Sequence, residues 1–296
     1  MRVAATIYLT DETITPIRLA QELEQRGFAG LYLPEHSHIP VARETPYPGG
    51  ELPPECARML NPFVALAQAA AVTRTLCLGT NITLVGQHDP IDLAKQIATL
   101  DHLSGGRFTL GIGYGWNREE AADHGVHWPT RRALVRDRMA VMRALWDAQP
   151  TAYEGEFASV RASDVHPKPR LAPRERKQHG PPLHGPRTLI GGAAGPKLFA
   201  HIAEYADGWL PIGGGGLRES LPTLREAWAD AGRPPGDLYV ALSAVEPTPG
   251  KLAHYADLGI DEVIVQLPAR EEAGVLEALD GFQRYVHLTT AAGNQH

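Results

Sequence analysis

The chain has 296 residues, 43% hydrophobic and 21% charged, with a formal net charge of −6 at neutral pH. That length can bury a large core within one α/β barrel, the charge gives no reason to expect nucleic acid or an anionic membrane surface, and no apolar run approaches the roughly 18 residues of a membrane span. Cys56 and Cys77 are the only cysteines, so no disulfide framework is expected, and Cys77, in an apolar strand pattern, reads as packing. Met1-Arg2-Val3 leads into a strand and not into a signal-peptide pattern, which makes the cytoplasm the expected compartment.

In chain order, the pattern predicts a strand over 3–8, then a helix capped by Thr15, carrying Pro16 in its first turn and ended by Gly27. A second strand is expected over 30–33, then a long Pro-rich loop to about residue 60. Asn61-Pro62 opens the second helix, residues 76–85 read as one long third strand, and Asp89-Pro90 repeats the cap-proline device for the third helix. Residues 108–114 form the fourth strand, with helices after it as far as Trp146. Further strands are expected at 188–190, 208–211, 238–244 and 262–267. Helices fall between them, one beginning at Pro196, and a closing helix runs to about Val286.

Eight short apolar strands alternating with amphipathic helices argue a parallel (β/α)8 TIM barrel occupying residues 1–296 as a single domain, with a doubly wound open sheet as the alternative. The stretch 150–187 breaks the rhythm. It is rich in proline and carries Arg170, Arg174, Arg176, Lys177 and Arg187. It reads either as an exposed insertion or as a flap offering positive charge to an anionic ligand.

In such a barrel the chemistry lies at the C-terminal ends of the strands. Strand two ends in Pro34-Glu35-His36-Ser37-His38, strand three carries Thr80-Asn81-Ile82, and strand four ends in Gly113-Tyr114-Gly115-Trp116. The stretch LDHLSGGRFTLGIGYGW, residues 100–116, is the centre of this set: a strand end alternating with glycine exposes backbone N–H groups to a flat ring or a phosphate. After the fifth barrel strand, Gly191-Gly192-Ala193-Ala194-Gly195 precedes a helix that begins with Pro196. Small residues at a helix N-terminus suit a phosphate, because free N–H groups and the helix dipole both favour an anion.

Four blocks carry a resemblance: YLPEHSHIP, NPFVALAQAAAVTRTLCLGTNITLV, DPIDLAKQIATLDHLSGGRFTLGIGYGWNREE and LIGGAAGPKLFAHIAEYADGWLPI. Together they resemble the bacterial luciferase-like oxidoreductases, in particular the branch that uses the deazaflavin coenzyme F420. The resemblance implies a barrel that holds F420, or alternatively FMN, at the strand C-termini, usually in a homodimer and with a separate cofactor reductase possible. It implies that His36, next to Glu35, is the catalytic imidazole, and that Thr80, Asn81 and Ile82 support the ring face across a cis or bulged Asn81–Ile82 peptide. It further implies that Tyr114, Gly115 and Trp116 touch the ring edge, and that Ala193, Ala194 and Gly195 hold the phosphate. The family's sugar-phosphate dehydrogenases place a glutamate where this chain has Trp116, so Trp116 suggests an apolar or aromatic-lined substrate pocket.

The function expected is therefore hydride transfer between deazaflavin carbon 5 and a small organic substrate, the cofactor supplying the hard chemistry. The alternative in the same class is an FMN-dependent monooxygenase. A metal-dependent barrel hydrolase, prompted by the alternation His36-Ser37-His38, and a flavin-binding protein without turnover rank below both. No resident metal is expected in the leading reading. His38, His88, His102, His124 and His127 read as structural or surface residues.

Overall fold

The computed structural model describes residues 1–170 and 184–293. Its first three helices start where the sequence places a cap next to a proline. Thr15 accepts the Arg18 N–H ahead of α1 (Pro16–Gln25), and Asn61 accepts the Val64 N–H ahead of α2 (Pro62–Val72). Asp89 accepts from Ile91 and Asp92 ahead of α3 (Pro90–Leu103). In each, proline sits where its missing N–H costs nothing and the side chain satisfies a donor left free at the helix start.

These helices alternate with strands β1 (Arg2–Thr6), β2 (Gly30–Leu33), β3 (Cys77–Thr80) and β4 (Phe108–Ile112). After α4 (Arg118–Asp123) and α5 (Arg131–Trp146) comes a small antiparallel hairpin, β5 (Tyr153–Glu154) with β6 (Ser159–Val160). The rhythm then resumes with β7 (Arg187–Gly191), α6 (Pro196–Tyr205), β8 (Gly208–Leu210), α7 (Leu217–Asp230), β9 (Tyr239–Val245), α8 (Pro249–Asp257), β10 (Glu262–Gln266) and α9 (Glu272–Gly293). The sheet closes in the order β1-β10-β9-β8-β7-β4-β3-β2, every pair parallel. This is the (β/α)8 barrel expected, and the open sheet is ruled out by the pairing of β1 with both β2 and β10.

Two details depart from the sequence reading. The third strand stops at Thr80 instead of running to residue 85: the backbone leaves the sheet there, and the Asn81–Ile82 peptide that follows is cis. Thr83 rejoins it opposite Ile112, its N–H donating to the Gly111 carbonyl at 2.7 Å. The hairpin at 153–160 replaces part of the irregular insertion, seated where Asp137 of α5 accepts from the Tyr153 hydroxyl and the Phe157 N–H, both at 2.8 Å. Of the basic cluster read in that stretch, Arg174, Arg176 and Lys177 lie outside the described residues. Arg187 opens β7 at the barrel end opposite the strand C-termini and lies over the Tyr239 ring.

The barrel interior is filled, not hollow. Tyr32, Leu189, Leu210, Ala241 and Ile264 form an inner cluster. At its base the Tyr32 hydroxyl donates to Glu262 at 2.7 Å, with Tyr239 on the same oxygen at 3.3 Å and Arg2 3.7 Å from the other. Glu262 is fully buried. Burial beside this carboxylate pushes the Tyr32 phenol well above its ordinary range, so the phenol stays a donor. Tyr32→Phe should lower unfolding free energy by about 1–3 kcal/mol, since it leaves a buried charge without its best partner. Denaturant titration checks this, and an unchanged midpoint would contradict it.

Candidate active site

The C-terminal ends of β2, β3, β4, β7 and β8 share one rim. There the broken third strand makes a platform. Thr80 is pinned by its hydroxyl donating to the Gly111 carbonyl at 2.8 Å, and Asn81 reaches across the mouth, its amide donating to Ser243 Oγ at 2.6 Å. Ile82 is left half-buried between them and the neighbouring strand ends. A Cβ on Gly113 would fall 2.7 Å from Ile82 Cδ1, and one on Gly191 would fall 3.0 Å from its Cγ2. The glycines of the fourth and seventh strands therefore make room for Ile82, a packing reason that adds to the backbone exposure read from sequence. Ile212, just beyond β8, is 82% exposed at this mouth, and its strand bridge is to Ser243, the residue that holds Asn81.

His36 stands on the adjacent strand end with both ring nitrogens engaged. Nδ1 lies 2.8 Å from Glu120 Oε2, and the Trp116 indole N–H donates to Nε2 at 3.2 Å. An indole nitrogen can only donate, so Nε2 carries the lone pair and Nδ1 the proton given to Glu120. Glu120 is 1% exposed, and its second oxygen accepts the Ser37 N–H at 3.1 Å. Trp116 stacks edge-on against both His36 and Tyr47, whose hydroxyl meets that of Tyr8 at 3.2 Å. Burial and that contact raise the Tyr8 phenol above its ordinary range. Trp116, Tyr47 and Tyr8 thus gather beside one imidazole at this rim.

Glu35 does not orient His36. Adjacent residues leave a strand on opposite faces, and the Glu35 carboxylate accepts from the Leu84 N–H at 2.7 Å and meets His88 Nε2 at 2.9 Å. It braces the segment just after the Asn81–Ile82 peptide, and Glu120 takes the place expected for it. The sequence did carry a signal for Glu120: Asn117-x-x-Glu120 is a capping-box spacing. Asn117 does cap α4, accepting the Glu120 N–H at 3.2 Å, but the Glu120 side chain turns to the histidine instead of back to the cap. The Tyr114 hydroxyl sits 2.7 Å from His201 Nδ1 and 2.9 Å from the Tyr205 hydroxyl, tying β4 to α6. Burial raises the Tyr114 phenol and lowers the His201 imidazole, so both are held neutral. Gly115, at φ +75, adopts the left-handed turn that sends Trp116 back over the mouth.

Gly192, Ala193 and Ala194 form an exposed turn ahead of α6, whose cap, Gly195, makes no side-chain hydrogen bond. A Cβ on Gly195 would meet nothing within 4 Å. His36 and His38 diverge: His38 Nε2 meets Asp123 at 2.9 Å, while its Nδ1 shares the Ser37 hydroxyl with His124. Among the described residues no group of three or more His, Cys, Asp and Glu side chains is placed to hold a metal ion. None of the described helices is long and apolar enough to cross a membrane.

The family model described as luciferase-like monooxygenase matches residues 11–248. The chain belongs to that family. The luciferase-like relatives include an uncharacterised protein of Mycobacterium tuberculosis, 41% identical over 275 residues, which cover 91% of this chain and 93% of that one. Another is the F420-dependent glucose-6-phosphate dehydrogenase of Beutenbergia cavernae, 30% identical over 223 residues, 73% of this chain and 58% of that enzyme. The same fold is found in the monooxygenase RslO1 of Streptomyces bottropensis, with a TM-score of 0.74 at 18% identity over 98% of this chain and all of that one. It recurs in the coenzyme F420 dependent tetrahydromethanopterin reductase of Methanopyrus kandleri, with a TM-score of 0.68 at 17% identity, covering 98% and 99% of the two chains. Luciferase-like proteins are oxidoreductases, which makes this chain an enzyme of that class.

Proposed function

We propose that this protein is an F420-dependent oxidoreductase acting on a small organic substrate, with His36 handling the proton that accompanies hydride transfer. The observation that carries the reading is the meeting, at one rim, of the Ile82 platform with an imidazole whose tautomer a buried carboxylate fixes. The relationship to the F420-dependent dehydrogenase favours the deazaflavin.

Bound there, the deazaflavin would supply hydride chemistry at carbon 5. The residues present fit such a group. Ile82, with Thr80 and Asn81 beneath it, gives an apolar back wall to a flat ring, Gly115 and Trp116 line its edge, and the turn at Ala193, Ala194 and Gly195 leaves backbone donors for a phosphate. Tyr47 and Trp116 exclude water from the mouth. In the oxidative direction a substrate hydroxyl takes the place of the indole N–H as donor to His36 Nε2 and delivers its proton there. Glu120 keeps the proton on Nδ1 beforehand and balances the imidazolium afterwards. Glu35 holds the platform through Leu84. A homodimer in the cytoplasm, supplied by a separate cofactor reductase, belongs to the same proposal.

FMN-dependent monooxygenation is the second reading, because a phosphate turn with one set of backbone donors suits FMN as well. Turnover separates the two. Consumption of oxidised F420 with a panel of secondary alcohols is expected, whereas oxygen-dependent turnover with reduced FMN alone would move the assignment to the second reading.

The phosphate turn has its own test. Gly195 has extended backbone and open space around its missing Cβ, so valine fits the free protein while crowding a phosphate on the turn. Gly195→Val should weaken cofactor binding about tenfold or more, on the scale of one charge-assisted hydrogen bond, with the melting temperature nearly unchanged. Equal loss of both would mean that the glycine serves only the turn.

A further inference from the structure

Another imidazole–carboxylate pair, open to solvent, stands in the segment after β2 and on α4, the same two places that hold His36 and Glu120. His38 lies two residues beyond His36, and Asp123 three beyond Glu120. The inner pair is nearly buried, whereas His38 and Asp123 keep 42% and 62% of their side chains exposed. Ser37, between the two histidines, is exposed as well, and so is His124, which caps the C-terminus of α4. These four side chains are bonded in series. Asp123 Oδ2 meets His38 Nε2 at 2.9 Å, His38 Nδ1 meets Ser37 Oγ at 2.8 Å, and Ser37 Oγ meets His124 Nε2 at 2.7 Å.

The chemistry of the atoms sets the direction of every bond in the series. A carboxylate only accepts, so His38 Nε2 carries its ring's proton, and Nδ1 of the neutral ring is left as the acceptor. The Ser37 hydroxyl then donates to Nδ1. Its one proton is spent there, so His124 Nε2 must donate to Oγ. A hydroxyl facing a base that a carboxylate orients is the arrangement that activates serine as a nucleophile. An exposed pair such as His38 with Asp123 adds little to stability, and the oxidoreductase reaction proposed above uses none of these four side chains.

We propose that Ser37, His38 and Asp123 form a hydrolytic site for small, unhindered esters, distinct from the oxidoreductase reaction. Ser37 Oγ attacks the ester carbonyl carbon, and the Oγ–C bond forms as the hydroxyl proton passes to His38 Nδ1. Asp123 balances the imidazolium. The His124 Nε2–H, freed from Oγ, can turn to the carbonyl oxygen as it becomes an oxyanion. The bond from that carbon to the alkoxy oxygen then breaks, and His38 gives its proton to the leaving alkoxide. Water repeats the sequence on the acyl-serine and yields the acid and free Ser37, so no oxidant or reductant is consumed. Ser37 and His38 are the catalytic residues, and Asp123 positions His38. Solvent around the relay keeps the acceleration at the low end of general-base help, about 10²-fold.

The test uses the full-length protein and two probes, p-nitrophenyl acetate for turnover and a fluorophosphonate for trapping, with the modified residue located by peptide mass spectrometry. Wild type should hydrolyse the ester and carry the phosphonate on Ser37. Ser37→Ala and His38→Gln should each lose about 100-fold in ester hydrolysis, and His38→Gln should lose the label on Ser37. Melting temperatures should stay unchanged, because both side chains are exposed. Asp123→Ala should slow hydrolysis about fivefold, the upper end for an exposed ion pair, and Asp123→Glu, which restores the carboxylate, should recover most of that loss. Phosphonate found only on other residues, or ester hydrolysis retained in Ser37→Ala, overturns the proposal.

Discussion

His36→Asn should slow turnover by about 10²–10⁴-fold, the usual scale of lost general acid–base help, with cofactor affinity nearly unchanged. Asparagine keeps a polar group of similar reach but has no nitrogen that can gain and lose a proton near neutral pH. Glu120→Gln should show a related defect by a different route. Its amide oxygen can still accept from the Ser37 N–H, which turns the amide N–H toward His36 Nδ1. That nitrogen must then accept, so the ring proton moves to Nε2, where it opposes the Trp116 N–H. A loss of about tenfold to 100-fold is expected, together with a displaced pH profile for kcat/KM, because the tautomer and not the imidazole has been changed. Steady-state kinetics with parallel cofactor titration distinguish these results. Normal turnover in His36→Asn would make His36 a pocket wall and assign the proton to water or to the substrate itself.

The second large effect falls on the scaffold. A Cβ on Gly111 would sit 2.0 Å from the Thr80 carbonyl oxygen and 2.9 Å from Leu210 Cδ2. The first obstacle is backbone, which cannot swing aside as a side chain can, and it belongs to the residue just before the cis peptide. Gly111→Ala should therefore cost about 3 kcal/mol or more, at the upper end of overpacking penalties, and should abolish cofactor binding in whatever protein folds. Thermal melting and a binding titration check it. Gly105→Ala is a useful contrast, since its Cβ would meet nothing within 4 Å and only its φ of +74 opposes the change. A wild-type melting temperature for Gly111→Ala would mean that β3 and β4 are further apart than described.

The barrel was legible because its signals are local. A cap residue followed by proline starts a helix, a short apolar run makes a strand, and β2 and α6 fall where the patterns place them. The break in β3 was not legible from local pattern: residues 76–85 carry a continuous strand-like character, and only the resemblance pointed to Asn81–Ile82. The partner of His36 was missed for a related reason. Glu35 is next to it in sequence, but strand alternation sends the two side chains apart, while Glu120, 84 residues away, is brought in by the short helix that Asn117 caps. Pairings of that span follow from the closing of the barrel and leave no periodic trace. The glycines of residues 111–115 were read as an opening for a ring. All three, Gly111, Gly113 and Gly115, are shaped also by Thr80, Ile82 and Leu84, whose atoms lie where their Cβ atoms would go or next to that space.

Binding of a deazaflavin at the rim around Ile82 and His36, as proposed, is measured by titrating the purified protein with oxidised F420 and with FMN in parallel, following ring absorbance and the fraction retained after gel filtration. Saturable binding of F420 at one equivalent per chain, tighter than FMN, is the predicted result. Tight binding of FMN with no measurable binding of F420 would contradict it.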